Sequence, residues 1–252
     1  MKYSELVQIR KKYDFSQLGT NRNGKELLNP EGIYDNYGNL IQLNEVNPWS
    51  LWQGDLNADI LLIGQDFSCE KYYKDNRGKD DEKSKTNNRL IELFKLAGID
   101  VIKPKEQYEN RKNQNLFFTN CIAGIKEGDK MNEEIPKEWV KDNAKVFLKP
   151  LIDEILKSKI IITLGKPAFE ALNYICDLYI DEKLENKYTI TQSFNLNDVT
   201  DNNPFYMKNA VVFAFFHCSY IHINRKGIKN GKEQEEQDWK MLAPYIDKLK
   251  NK

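Results

Sequence analysis

Four stretches of this chain are almost continuously apolar and rich in β-branched and aromatic residues. They are 59–64 (DILLIG), 115–120 (NLFFTN), 159–165 (KIIITLG) and 210–216 (AVVFAFF). A strand with one wet face alternates apolar and polar residues. A run without that alternation belongs to a strand covered on both faces, as in parallel sheets. Helical spacing fills the intervals. Residues 88–97 (NRLIELFKLA) place Leu90, Leu93, Phe94 and Ala97 on one face and stop at Gly98, a C′ glycine. Residues 136–157 carry Trp139, Val140, Val146, Phe147, Leu151 and Ile155 near helical spacing, with Pro150 marking a kink or a break. Another helix starts at Lys166, with Pro167 in its first turn. Strands alternating with helices predict repeated βαβ units. The expected fold is α/β, a three-layer α/β/α sandwich with a central four-stranded parallel sheet. Residues 1–252 read as a single domain. Within it, 1–50 form an N-terminal extension with a helix and polar loops. Residues 178–208 form a polar insertion with a strand over 188–194. Residues 233–252 form a surface helix with Trp239, Leu242 and Ile246 facing inward.

Composition narrows the function classes. Forty per cent of the residues are apolar and 12% aromatic, enough for a packed core. Lys plus Arg number 38 and Asp plus Glu 38, so the formal charge is zero. Sequence-independent affinity for DNA comes mostly from Lys and Arg on phosphates. Any grip on nucleic acid must therefore be a local patch. No stretch reaches the ~18 apolar residues of a membrane span. The opening MKYSELVQIRKKYDF lacks the apolar core of a signal peptide, so a cytosolic location is expected. Cys69, Cys121, Cys176 and Cys218 are widely separated and form no C-x-x-C pair, which reads as free thiols in a reducing compartment.

In open α/β sheets, ligands bind at the carboxyl ends of the strands. The first run ends in Gly64-Gln65-Asp66-Phe67-Ser68 and the second in Thr119-Asn120. The third leads into Gly165-Lys166-Pro167, and the fourth into His217-Cys218-Ser219-Tyr220-Ile221-His222. A carboxylate, a carboxamide and an imidazole are thus expected on one sheet edge. Both histidines of the chain lie in the last segment. These groups suit cleavage of an N-glycosidic bond. Asp66 can stabilise an oxocarbenium-like sugar and orient the attacking water. His217 can hydrogen-bond the anionic leaving base. The Asn120 amide offers one acceptor and two donors, a pattern that pairs with the N3–H and O4 of uracil and mismatches cytosine.

The ordered set of GQD, an apolar strand ending in Asn, I-T-L-G-x-x-A, and H-x-S followed by Arg resembles the uracil-DNA glycosylase superfamily. The resemblance spans residues 48–225. It implies an α/β/α sandwich and a monofunctional DNA glycosylase that flips a base out of DNA. Under it, Asp66 matches the water-activating aspartate and Asn120 the base-reading asparagine. His217 matches the histidine on the uracil carbonyl, and Gln65 joins the base-binding group. Ser219 looks like the serine on a backbone phosphate. Ile221 falls where the family places its apolar wedge, and Arg225 follows among the DNA contacts. Lys166, at a helix N-terminus, is a further phosphate candidate. The aromatic that stacks on the base is left among Phe67, Tyr72 and Tyr73. Where the best-known branch has Pro-Tyr after GQD, this chain has Phe67-Ser68. That tyrosine excludes the thymine methyl, so specificity beyond uracil is open. The iron–sulfur branch has a closely spaced N-terminal cysteine pair that this chain lacks, so neither cluster nor metal nor other cofactor is expected. The expected partner is DNA bearing uracil or a related deaminated base. No membrane and no obligate protein partner are expected, and the protein is expected to be monomeric.

Each residue also has a plainer reading. Asp66 suits a turn or helix cap, and Asn120 a strand end. His217 suits a satisfied core histidine, and Lys166-Pro167 an ordinary helix start. The cysteines read as small buried apolar residues. Two other functions use the same residues: a member of the fold that binds nucleic acid without cutting it, and a small-molecule nucleoside hydrolase.

Overall fold

The computed structural model describes residues 1–178, 204–207, 209–218 and 231–251. In chain order its main elements begin with α1 (Tyr3–Lys12), β1 (Leu27–Leu28), β2 (Ile60–Gly64), α2 (Glu70–Asp75) and α3 (Lys85–Leu96). Then come α4 (Pro104–Glu109), β3 (Leu116–Asn120), β4 (Ile125–Lys126), α5 (Lys137–Asn143), β5 (Ile160–Leu164) and α6 (Lys166–Ile175). The chain closes with β6 (Phe205–Met207), β7 (Ala210–Phe215), α7 (Gly231–Lys240) and α8 (Ala243–Lys250). The central sheet has the order β3-β2-β5-β7-β6. β3, β2, β5 and β7 run parallel, and β6 runs antiparallel beside β7. The sheet is therefore five-stranded, not four-stranded. The extra strand, three residues long, falls in the stretch read as a polar insertion and is too short to carry a periodic signal. The strand expected over 188–194 lies outside the described residues.

All four parallel strands fall on the apolar runs, and the reason is visible in the packing. Leu61, Ile63, Phe117, Ile161, Val212 and Ala214 face one core cluster with Leu6 and Val7 of α1, Trp139 and Val140 of α5, and Ala168, Phe169, Ala171 and Leu172 of α6. Ile60, Leu62, Leu116, Phe118, Ile162, Phe213 and Phe215 face the other, with Leu90, Leu93 and Phe94 of α3, Trp239 of α7 and Ile246 of α8. Side chains alternate between faces, and both faces are covered by helices, so nearly every position is apolar, with Thr119, Asn120 and Thr163 the buried polar exceptions towards the strand ends. Residues 1–50 supply Leu6, Val7, Phe15, Leu27 and Val46 to the first cluster and Trp49 to the second. Arg10 of α1 is fully buried. Its guanidinium donates to Glu31 at 3.1 Å, to the Glu45 carbonyl at 3.0 Å and to the Leu43 carbonyl.

The local signals hold at the helix ends. Past α3, the Gly98 amide bonds to Lys95 O and the Ile99 amide to Phe94 O, both at 3.0 Å. The helix through 136–157 is α-helical only over α5. Beyond it come two wider turns, Ala144–Leu148 and Leu151–Ile155, on either side of Pro150. There Lys149 N–H reaches Ala144 O and Leu156 N–H reaches Leu151 O, five residues back. Proline has no N–H to give and clashes with the carbonyl four residues earlier, so the ladder shifts around it. The C-terminal helix expected over 233–252 is two helices, α7 and α8, with Trp239, Leu242 and Ile246 all buried. Among the described residues, no helix is long and apolar enough to cross a membrane.

Ahead of α3 the Asp80 carboxylate is drawn into the packing. Its Oδ1 accepts from Asn87 Nδ2 at 3.0 Å, and its buried Oδ2 has no partner among the described residues. Burial, opposed by the Asn87 bond and reinforced by Asp81, pushes the acid from 3.8 up to about 7. Between those values the folded chain binds a proton that the unfolded chain has lost, so stability falls as pH rises. Asp80→Asn is therefore expected to raise the melting temperature at pH 8, with the gain shrinking towards pH 5. Equal gains at both pH values, by thermal denaturation, would show that Asp80 stays ionised.

Candidate functional site

The register of the sheet brings the candidate residues to one edge. Gly64 of β2 pairs with Asn120 of β3, Ile63 with Thr163 of β5, and Leu164 of β5 with Phe215 of β7. Those residues form a row across the strand ends. One or two positions further lie Gln65, Asp66, Gly165, Lys166 and His217. At about 4.8 Å between strands, the row from Asn120 to His217 spans roughly 14 Å, with Asp66 between them. Gly165, with φ +83, caps the N-terminus of α6 and turns β5 away from the sheet. A side chain there would meet only ordinary contacts, His217 Cβ at 3.5 Å and Gln65 Oε1 at 3.8 Å. Glycine is needed for the backbone angle, and its position places Gln65 and His217 on either side of it.

Asp66 is held tightly. Its side chain is 8% exposed. Oδ1 accepts the Ser68 amide at 2.7 Å and faces Lys126 Nζ at 3.1 Å, while Oδ2 accepts from Gln65 Nε2 at 3.2 Å. The Asp66–Ser68 turn requires φ +100 at Ser68, a left-handed backbone that L side chains rarely adopt. The Ser68 hydroxyl is buried without a partner among the described residues. Lys126 was not a candidate from the sequence. It lies on β4, where its backbone pairs with Leu27 of β1 and bridges to Cys69. Its side chain is 1% exposed, and Nζ also donates to Met131 O at 2.5 Å. One lysine among 38 basic residues carries no local sign that it will be buried.

Asn120 is buried, and its Nδ2 donates to Asn47 Oδ1 at 2.9 Å. Asn47 in turn caps the turn Pro48–Leu51 through the Trp49 amide at 3.0 Å and donates to Ile122 O at 3.0 Å. The Asn-Pro step at 47–48 is a cap signature that could have pointed to this support. The Asn120 Oδ1 sits directly over Gly64. A Cβ on Gly64 would lie 2.3 Å from that oxygen and 2.5 Å from the Trp49 ring.

His217 is half-buried at the end of β7. Burial pushes its imidazole below the usual 6.5, against the pull of the Asp66 carboxylate, so the neutral ring is favoured at pH 7. A neutral imidazole has one N–H to donate and one nitrogen to accept.

Other candidates sit elsewhere or outside the described residues. Phe67 and Tyr73 are buried in a small cluster with Ile33, Ile41 and Ile125, their rings 6.0 Å apart. Tyr73 is 0% exposed and presents no ring face, which corrects its reading as a base-stacking residue. Phe67, 5% exposed, is packed in the same way. Tyr72 is half-buried, and its hydroxyl accepts from the Asp81 amide at 3.0 Å. Lys166 stands at the surface, 3.7 Å from Glu170 one turn along α6. The thiols of Cys121 and Cys218 turn to different carbonyls, Gln65 O at 3.1 Å and Thr86 O at 3.8 Å. Burial pushes the Cys218 thiol up to about 12. Among the described residues no three His, Cys, Asp or Glu side chains group as metal ligands. Ser219, Ile221 and Arg225 lie outside the described residues. Clefts of about 540 Å³ beside Tyr3, Glu45 and Arg111, and about 390 Å³ beside Tyr34, Glu70 and Lys74, are lined by none of the strand-end residues. No protein-family model and no curated protein matches this chain.

Two expectations follow from this geometry. Gly64→Ala forces Asn120 or Trp49 to move, so it should destabilise by about 1–3 kcal/mol, the usual range for overpacking. Urea unfolding measures this, and an unchanged midpoint would contradict the close approach. A histidine whose folded pKa is lowered loses stability as pH falls from its ordinary value towards the folded one. Between pH 7 and 5 the wild type should therefore lose stability more steeply than His217→Gln. Parallel slopes would place the ring in a solvated setting.

Proposed function

We propose that this chain is a DNA glycosylase of the uracil-DNA glycosylase kind. It would hydrolyse the N-glycosidic bond of uracil or a related deaminated base turned out of DNA. One observation carries the reading. Asn120, Asp66 and His217 stand at the carboxyl ends of three parallel strands of one sheet, β3, β2 and β7, with β5 between the last two. A three-layer α/β/α sandwich with four parallel central strands accords with it.

In this reading Asn120 pairs with the edge of the base, and the bond to Asn47 fixes which way its amide faces. Asp66 orients a water towards C1′ of the sugar and balances the positive charge that develops there. Water adds to C1′, the bond to the base breaks with its electron pair on the base, and the water's proton leaves to solvent or base. His217, neutral, donates its N–H to the carbonyl oxygen that gains charge. A donor already aimed at developing charge needs no reorganisation during the step. The enzyme would be a cytosolic monomer needing no cofactor or metal. Its DNA contacts would include Lys166, Ser219, Ile221 and Arg225, a local patch on a chain of zero net charge.

A second reading draws on the same turn. Asp66 Oδ1 is fully committed to Lys126 and Ser68, which also suits a structural aspartate in a protein that binds nucleic acid without cutting it.

Oligonucleotides carrying U:G, U:A, hypoxanthine, xanthine and thymine mismatches, followed by alkaline cleavage, separate the two. Abasic sites are expected from uracil first. Asp66→Asn and His217→Ala should each lower the rate about 100-fold or more. Tight binding with no alkali-sensitive product selects the non-catalytic reading. Undiminished cleavage by both variants rejects these residue roles.

A further inference from the structure

We propose that Lys126 is the positioning residue that gives the two oxygens of Asp66 different duties, anchoring Oδ1 so that Oδ2 addresses the reacting centre. The assignment rests on the glycosylase reading above and goes beyond it.

A buried ammonium is unfavourable unless it is paired and hydrogen-bonded. Lys126 meets that condition with two fixed partners, Asp66 Oδ1 at 3.1 Å and Met131 O at 2.5 Å. Its backbone is held on both sides, by Leu27 on β1 and by Cys69 just past the Asp66 turn. The Lys71 amide adds a bond to Gly128 O at 3.0 Å, tying the start of α2 to the chain after β4. The lysine and the aspartate thus sit on one braced stretch of backbone, and the Met131 carbonyl holds the lysine's ammonium end in place.

The carboxylate is held asymmetrically. Oδ1 receives a charged donor and a short amide bond from Ser68. Among the described residues, Oδ2 receives only the Gln65 side-chain amide at 3.2 Å. Two donors on one oxygen fix the rotation of the carboxylate about its Cβ–Cγ bond. Ser68 keeps a left-handed φ of +100 while delivering its amide at 2.7 Å. Backbone strain of this kind survives only where the surroundings over-determine it, and it concentrates at functional sites. A carboxylate serving only as a turn cap would need the Ser68 bond alone. The ammonium on the same oxygen leaves Oδ2 as the face that can hold a water.

Lys126 is not assigned as an amine nucleophile. It is 1% exposed, and its ammonium is held by a carboxylate and a carbonyl.

The test is single-turnover kinetics on a uracil oligonucleotide with wild type, Asp66→Asn, Lys126→Met, Lys126→Gln and Lys126→Arg, each checked by a melting curve. Lys126→Met should lower the rate of the chemical step about 100-fold, the scale of a misplaced catalytic group, with oligonucleotide affinity within about twofold of wild type. Lys126→Arg, which keeps a cation facing Oδ1, should recover most of the rate. If Lys126→Met melts below the assay temperature, Lys126→Gln carries the same comparison, because it retains a donor without the charge. Wild-type rates in Lys126→Met or Lys126→Gln, while Asp66→Asn is inactive, would overturn this assignment and leave the glycosylase reading standing. So would a borohydride-trapped adduct with abasic DNA that disappears in Lys126→Met, because it makes the lysine a nucleophile. A wild type that forms no abasic sites removes the glycosylase reading and this assignment together.

Discussion

The register between four parallel strands is the constraint on which the rest depends. Each residue of β2 lies opposite one residue of β3 and, over most of its length, one of β5. Shifting any pair by one position would send its apolar side chains to the wrong face and its end residues out of the row. Two separate cores, one on each face, hold the register in place. The strand ends therefore arrive together. Residues separated by more than 150 positions, such as Asp66 and His217, are brought to one edge because ladder and packing agree.

A second layer of support lies outside the main sheet. The short pair β1–β4 carries Lys126 to Asp66, and the turn at Asn47–Leu51 carries Asn47 and Trp49 to Asn120. The candidate side chains Asp66 and Asn120 thus each have a partner from a different part of the chain. Asp66 has Lys126, Gln65 and the Ser68 amide; Asn120 has Asn47 and packs its amide oxygen closely over Gly64. Polar groups buried in this way are stable only when their bonds are satisfied. Satisfying them also fixes their direction. The same bonds that stabilise the fold at this edge orient the side chains.

Much of the fold is legible in the residues. The four apolar runs fall on the four parallel strands to within a residue, because strands covered on both faces leave no room for polar alternation. Gly98 and Pro167 mark helix boundaries because caps are local. Three-residue β6 is not legible, since its existence depends on β7 beside it. Nor is the break between α7 and α8, where one helical pattern continues across two axes. At the site, Asp66, Asn120 and His217 stand out because they follow strands that can be recognised. Tyr73 misleads for the opposite reason: a tyrosine near a motif looks like a platform, yet this one fills a fully buried place beside Phe67 and Ile41.

What the chain's order of residues determined alone is a set of local facts: which segments are apolar on every side, where helices start and stop, and which polar groups come directly after strands. These follow from interactions within a few residues. Only the tertiary structure decided that the lysine of β4 is buried against Asp66, that Asn47 steers Asn120, and that Gly64 is bare because an amide oxygen and an indole ring crowd above it. Burial and ion pairing are properties of neighbours distant in the chain. A lysine at position 126 has the same chemistry in solvent or in the interior until the fold chooses its surroundings.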